Sequence, residues 1–232
     1  MSLTTNLVAY YKLNDLTDAT GNGNTLTNHN SAVFDAGLIG NGVDFGTSGS
    51  KFLNIAHDFG NPPYSISGWV KLNQEITSSY YTLFSIKSHA TGASSTNTNL
   101  LYYYNGGTIQ LLTQIYRTSN YSPTYNVTLG TSTWHHIVFT DDGTNQYQYL
   151  DGTQIMSNLG GTGTQTIASN AEFAIGEYVA NNGLYALAKE DEVGIWTRAL
   201  SSSEVTQLYN GGAGLQYPFI TTNSSAAFLT FI

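Results

Sequence analysis

Short runs of alternating apolar and polar residues, separated by glycine-bearing turns, recur from one end of the chain to the other. Alternation with a period of two marks a strand that buries one face. It predicts strands over Leu7–Lys12, Lys51–Ile55, Ser65–Leu72, Thr82–Ile86, Leu100–Tyr104 and Thr108–Tyr116. The series continues with Trp134–Thr140, Gln146–Leu150, Thr153–Met156, Glu172–Ile175 and Glu192–Trp196. Within Ser65–Leu72, the residues Ile66, Gly68, Val70 and Leu72 share one face, and Ser67, Trp69 and Lys71 share the other. Asn105-Gly106-Gly107 is a hairpin signal between two of these runs, and Asp142-Gly143 and Asp151-Gly152 mark further tight turns. His89–Asn99 is a polar, low-complexity loop. One helix of about ten residues is expected near the end, where Ser201 and Glu204 form a capping box, Leu200 and Val205 a staple, and Asn210-Gly211 a left-handed stop. It reads as a clip packed over the edge of a sandwich. No internal repeat or change of composition divides the chain.

Composition agrees with this pattern. The 232 residues carry 41% hydrophobic and 13% aromatic side chains but only 9% charged ones, so the chain can bury a sizeable core. Its polarity comes from Ser, Thr and Asn, which favour strands and turns over helix interiors. The expected class is all-β with neutral polar faces. A net charge of −8, from 7 Lys+Arg against 15 Asp+Glu, leaves no basic stripe for nucleic acid or an anionic membrane. With no cysteine there are no disulfides, thiolate metal sites or cysteine nucleophile. No stretch approaches a membrane span, and Met1–Tyr11 lacks the basic and apolar regions of a signal peptide.

Eight short motifs in sequence carry a resemblance. They are Leu7-Val8-Ala9-Tyr10-Tyr11-Lys12-Leu13, Asp18-Ala19-Thr20-Gly21-Asn22-Gly23-Asn24, Gly40-Asn41-Gly42-Val43-Asp44-Phe45 and Ser65-Ile66-Ser67-Gly68-Trp69-Val70. Then follow Thr133-Trp134-His135-His136-Ile137-Val138, Tyr149-Leu150-Asp151-Gly152, Asp191-Glu192-Val193 and Trp196-Thr197-Arg198-Ala199-Leu200-Ser201, leading to Glu204 and Leu208-Tyr209. In this order and spacing, across roughly residues 6–212, the chain resembles the laminin G-like, concanavalin A-like lectin/glucanase domains. The resemblance implies a jelly-roll sandwich of two antiparallel sheets, often with one structural calcium. Such domains serve lectins, glycosidase accessory modules, adhesins and phage structural proteins, so function rests on the sites.

The turn Asp18–Asn24 has the oxygen-rich, glycine-hinged make-up that calcium prefers. The resemblance implies that this turn meets Asp191, which gives Asp18, Asn24, Asp191 and the Gly21 carbonyl as the expected ligands. An ordinary turn capped by its own side chains is the alternative. His135 and His136 are strand neighbours, point to opposite faces and cannot share one ion, so structural roles are expected of them. A glycosidase needs two carboxyl groups across the scissile bond. The acidic cluster Glu190-Asp191-Glu192 alternates so that Asp191 faces away from both glutamates, and no glucanase Glu-x-Asp-x-x-Glu motif is present. Catalysis is not expected.

Sugar binding combines a flat ring with neutral amide and hydroxyl partners, and tyrosine supplies both kinds of contact. Tyrosines are densest at Tyr102-Tyr103-Tyr104 and from Tyr116 to Tyr125, around Arg117. Tyr104, Arg117, Tyr121 and Tyr125 are therefore the expected glycan or partner surface, with a plain sheet-surface role for each ring as the alternative. Sequons at Asn120, Asn126 and Asn223 are no more than the composition yields by chance. Residues 1–219 form the expected domain, and residues 220–232, ending in Phe228-Leu229-Thr230-Phe231-Ile232, are an added strand or an assembly tail. The leading expectation is a non-catalytic recognition module for a glycan or surface polysaccharide, exported, at the cell surface or on a virion. A structural or decoration protein that self-associates through residues 220–232 is the competing class, and a divergent glucanase the third.

Overall fold

The computed structural model describes residues 1–57, 61–77, 79–87, 97–116, 120–157, 171–178 and 184–220. The chain folds into two antiparallel sheets packed face to face, with one short helix near the C-terminal end. In the first sheet the order is β14 (Thr153–Ser157), β13 (Gln146–Leu150), β12 (His135–Asp141), β6 (Tyr64–Leu72), β16 (Ala188–Trp196), β4 (Asn41–Asp44) and β3 (Val33–Ala36). β1 (Leu7–Tyr11) pairs with the C-terminal half of β16. In the second sheet the order is β10 (Asn120–Tyr121), β9 (Thr108–Tyr116), β8 (Asn97–Asn105), β7 (Tyr80–Lys87), β15 (Glu172–Ile175), β5 (Phe52–Ala56) and β2 (Thr27–His29). β11 (Thr124–Val127) pairs with β9.

The period-two pattern places the core between the sheets. Ile66, Val70 and Leu72 of β6 and Ile137 and Phe139 of β12 meet Phe84, Ile86, Leu100, Tyr102, Leu111 and Phe173 of the second sheet. Gly68 lies in the same row, where a Cβ would collide with the Phe84 ring. The facing polar groups are paired across the gap: Tyr64 with Thr98, and Thr113 with Gln148.

The reverse face of the first sheet is buried too, although its alternation promised exposure. Helix α1 (Ser202–Tyr209) and the chain ends cover it, forming a second cluster of Leu3, Val138, Tyr149, Trp196, Leu200, Val205 and Leu208. Trp69 stacks on Tyr209 with ring centroids 5.7 Å apart. The capping box is present: Glu204 N–H donates to Ser201 Oγ, and Ser201 N–H donates to Glu204 Oε2. Asn210 takes the left-handed conformation at the stop (φ 49°). The helix has 8 residues, shorter than expected because a 3-10 turn at Asn210–Gly212 follows at once. Among the described residues, no helix is long and apolar enough to cross a membrane.

Strands β2, β3, β4, β10 and β11 were not expected, being short and poor in alternation. One expectation is corrected. Glu190 and Glu192 do not share a face, because β16 bulges between Asp191 and Gly194, with Glu192 at φ 51°. A bulge inserts one residue and resets the alternation. Glu190 therefore points into the core, while Asp191 and Glu192 both turn away from it.

Candidate functional site

With the first sheet covered, the outer face of the second sheet is where strand side chains stay accessible. Tyr80 on β7 and Tyr103 on β8 are register partners there, since their neighbours Tyr81 and Tyr102 turn toward the core. Their rings stack at 4.7 Å with an 18° tilt, and Tyr80 remains 44% exposed. The Tyr103 hydroxyl donates to Gln110 Oε1, to which Asn105 Nδ2 also donates at 3.4 Å. Gln110 Nε2 in turn donates to Asn126 Oδ1 at 2.5 Å. The ring pair thus runs into a ladder of side-chain amides across β8, β9 and β11.

On its other side Tyr80 borders a shallow pocket of about 150 Å³ shared with Ser79, Tyr81, Leu184 and Tyr185. Tyr185 lies 6.1 Å from Phe52, which stacks on His29 at 4.2 Å and 5°. His29 Nε2 bonds Asn54 Oδ1 at 2.8 Å, and Asn54 Nδ2 donates to Glu172. Burial raises the Tyr185 phenol, and the neighbouring Glu177 carboxylate raises it further. The result is a band of rings and neutral amides over β2, β5, β7, β8, β9 and β11. An exposed flat ring receives the apolar face of a sugar, and flanking amides exchange hydrogen bonds with its hydroxyls.

The sequence-predicted ring residues are placed differently. Tyr104 and Tyr125 both lie on the inward side of the second sheet, opposite Ile109 and Leu111 of β9. Tyr104 lines a rim cleft of about 410 Å³ with Glu75, Thr108, Val127 and Leu129. Tyr125 is 42% exposed because β11 is an edge strand. Tyr121 pairs through its backbone with Ile115, and Arg117 lies outside the described residues. So Tyr104 and Tyr125 share a face, but the exposed ladder is built from residues one step away, Tyr103 and Asn126.

Asp18, Gly21 and Asn24 do share one turn. Asp18 Oδ1 accepts from the N–H groups of Tyr10 at 3.1 Å and Thr20 at 3.0 Å and from the Thr20 hydroxyl at 2.7 Å. Its Oδ2 accepts from Asn24 N–H at 3.3 Å, and Asn24 Nδ2 donates to the Val8 carbonyl at 3.0 Å. Gly21 and Gly23 supply the positive φ values, 81° and 84°, that close the turn. Asp191 answers to another turn: its Oδ2 accepts from Leu38 N–H at 2.7 Å and Ile39 N–H at 3.0 Å, and its Oδ1 from Glu192 N–H at 2.9 Å. Among the described residues, no three His, Asp or Glu side chains converge as a metal ligand set. With both carboxylates committed to backbone donors, this donor set does not fit a calcium ion.

The remaining acids are buried. Glu190 has no exposed surface, neither carboxyl oxygen has a hydrogen-bond partner, and burial drives its pKa well above the usual range. Burial also pushes Asp191 up to about 7, against the pull of its N–H donors. Glu192 accepts from the Tyr10 hydroxyl and from Gln216 Nε2, both at 2.5 Å. Burial outweighs these bonds and raises it as well.

Residues 45–206 match the family model described as the concanavalin A-like lectin/glucanases superfamily. The chain belongs to the concanavalin A-like lectin/glucanases superfamily. No curated protein sequence matches it. Among solved structures it is similar to domain 4 of AbnA, an extracellular arabinanase of Geobacillus stearothermophilus, in complex with arabinotriose. That match has 23% identity, covers 86% of this chain and 96% of the other, and has a TM-score of 0.62. It is also similar to the ligand-binding domain of botulinum neurotoxin serotype D in complex with N-acetylneuraminic acid, at 15% identity, 89% and 51% coverage and a TM-score of 0.67. The binding domain of botulinum neurotoxin serotype G matches at 15% identity, 88% and 50% coverage, also with a TM-score of 0.67. The chain spans about half the length of these toxin domains. At these identities the likeness is one of fold.

In this concanavalin A-like domain, sequence reasoning found the tyrosine-rich strands but missed Tyr80, Phe52 and Tyr185. The signal was present in part: Tyr80-Tyr81 sits beside a predicted strand, and period two leaves one ring of such a pair outside. That Tyr80 meets Tyr103 depends on the β7–β8 register, which local patterning does not contain. His135 and His136 do take separate structural partners: His135 Nδ1 bonds Asp151 Oδ2 at 2.9 Å, and His136 Nε2 bonds Ser67 Oγ at 2.8 Å.

Proposed function

We propose that this domain is a non-catalytic carbohydrate-binding module that receives a neutral glycan on the outer face of its second sheet. The observation that carries this reading is the half-exposed Tyr80 ring, backed by Tyr103 and continued by the Gln110–Asn126 amide ladder. The family resemblance to domains solved with arabinotriose and N-acetylneuraminic acid supports a saccharide ligand. A chain with 7 Lys+Arg against 15 Asp+Glu favours a neutral sugar over an acidic one. The burial of Glu190, Asp191 and Glu192 supports binding over hydrolysis, because a glycosidase needs its two carboxyl groups open to the scissile bond. The rim bearing Tyr104 and Tyr125, with Arg117 and Tyr121 nearby in sequence, is the second surface to test.

A glycan array followed by calorimetry separates these surfaces. The expected result is binding of a neutral oligosaccharide that Tyr80→Ala weakens by about tenfold or more, with circular dichroism unchanged. Unchanged affinity in Tyr80→Ala with loss in Tyr125→Ala would move the site to the rim. An array with no binding to any saccharide would sink the proposal.

A further inference from the structure

A larger cleft, of about 560 Å³, lies on the opposite sheet, between the start of α1 and strands β12–β14. Tyr147 and Tyr149 are two residues apart on β13 and so project to one face, the outer one that also carries Val138 of the helix-covered cluster. Gln154 on β14 is the register partner of Tyr149 and is exposed. Thr140 of β12 is two residues beyond Val138 on the same face and lines the cleft. Its side chain has no exposed surface, and its Oγ1 has no hydrogen-bond partner. Buried hydroxyls in folded proteins are nearly always paired, so an unpaired one at the wall of an open cleft points to a partner supplied from outside.

The charges along the cleft indicate the kind of partner. Arg198, the cation there, is already bidentate to Glu204, at 2.9 and 2.8 Å, and so is neutralised. Asp142 adds a carboxylate at the edge, with Oδ1 accepting from Thr144 and Asn145 N–H groups. An anionic ligand would find no unpaired cation among these side chains and one acid to repel it. Two phenol rings, a free-standing amide and an orphan hydroxyl suit a neutral polyhydroxylated unit.

We propose that this cleft is a second saccharide site, independent of the Tyr80 face and on the opposite side of the sandwich. Two sites on opposite faces would let one domain bridge two chains of a polysaccharide or bind one polymer with avidity.

The test is a titration of the isotopically labelled full chain with arabinotriose, xylotriose and cellotriose at millimolar concentration, followed by amide chemical shifts. At least one saccharide is expected to shift the amides of Thr140, Tyr147, Tyr149 and Gln154. Tyr147→Ala and, separately, the surface change Gln154→Ala are expected to weaken that response by about tenfold while the shifts around Tyr80 persist. Thr140→Val is expected to leave the melting temperature equal or raised, because it removes an unpaired hydroxyl, yet to weaken binding in the cleft. Three results would overturn the proposal. One is no shift at these four amides with any of the three saccharides. Another is loss of the cleft shifts in Tyr80→Ala, which would make them secondary to the first face. The third is a lowered melting temperature with unchanged affinity in Thr140→Val, which would make the hydroxyl structural.

Discussion

Tyr80 and Tyr103, register partners on adjacent strands, lie ring over ring at 4.7 Å, and the Tyr103 hydroxyl is tied to Gln110. The exposed ring of the pair is thus held from behind by a second ring that is itself anchored. A surface ring fixed in this way loses little freedom when a sugar settles on it, which keeps the entropic cost of binding low.

Because this surface consists of rings and amides, saccharide affinity should be insensitive to salt. Calorimetry at about 50 mM and about 500 mM salt should give dissociation constants within about twofold, since screening acts on charges. A drop of tenfold would mean that charged groups carry the binding.

Arg198 and Glu204 hold each other in a bidentate pair with side chains only 9% and 5% exposed. Burial would raise the Glu204 pKa, but Arg198 and Ser201 outweigh it and hold the carboxyl below its usual value. Arg198 also donates to the carbonyls of Thr5 and Ser2, joining the N-terminal segment to the helix cap. Arg198→Ala should cost about 3–5 kcal/mol, because it leaves a buried carboxylate unpaired. Urea denaturation would show this as a lower midpoint, and a loss under about 1 kcal/mol would mean that solvent screens the pair.

Gly68→Ala should destabilise the sandwich by roughly 1–3 kcal/mol through overpacking against Phe84 and Val193. In a domain of this size that corresponds to a fall in melting temperature of about 2–4 °C per kcal/mol, measurable by calorimetry. Gly106→Ala is the useful contrast: nothing crowds that site, and its penalty comes only from a φ of 58°.

Glu190 gives the fold a pH dependence with a definite sign. Its folded pKa is raised by burial, so the native state holds a proton that the unfolded chain releases. Stability from this group is complete below the unfolded value, about 4.5, and is lost as pH rises toward the folded value, by at most about 1.4 kcal/mol per pH unit. Asp191 and Glu192, raised as well, act in the same direction. His136, lowered by burial to about 3, acts oppositely, since stability is lost as pH falls below its unfolded value of about 6.5. Glu190→Gln should flatten the decline in stability above pH 7 by about one proton, as read from denaturation midpoints between about pH 6 and pH 9. An unchanged slope would mean that Glu190 is ionised in the folded protein.

The strands were legible where alternation was long. β6, β9, β12 and β13 fall within one or two residues of expectation, and the capping box at Ser201 is there in full. The short β2, β3 and β4 were not, because three or four residues cannot establish a period and their stability comes from neighbours across the sheet. Trp69 shows a different failure. Its position opposite Ile66 was read correctly, but its burial depends on α1, which folds over that face from more than a hundred residues away. At Glu192 a local rule gave the wrong face because a bulge leaves no trace in the order of apolar and polar residues.

The tyrosine surface divides in the same way. The sequence by itself determined an all-β chain with a two-sided core, a capped helix near the end, and neutral ring-rich faces in place of charged ones. These properties rest on period, local hydrogen bonding and composition, each contained in a few neighbouring residues. The tertiary structure decided which rings are presented. Pairing between β7 and β8 set Tyr80 on Tyr103, coverage by α1 closed most of the first sheet, and strand parity turned Tyr104 inward and Tyr103 outward. Register and coverage are relations between segments distant in sequence, fixed by what packs best across the whole sandwich, so no single segment carries them.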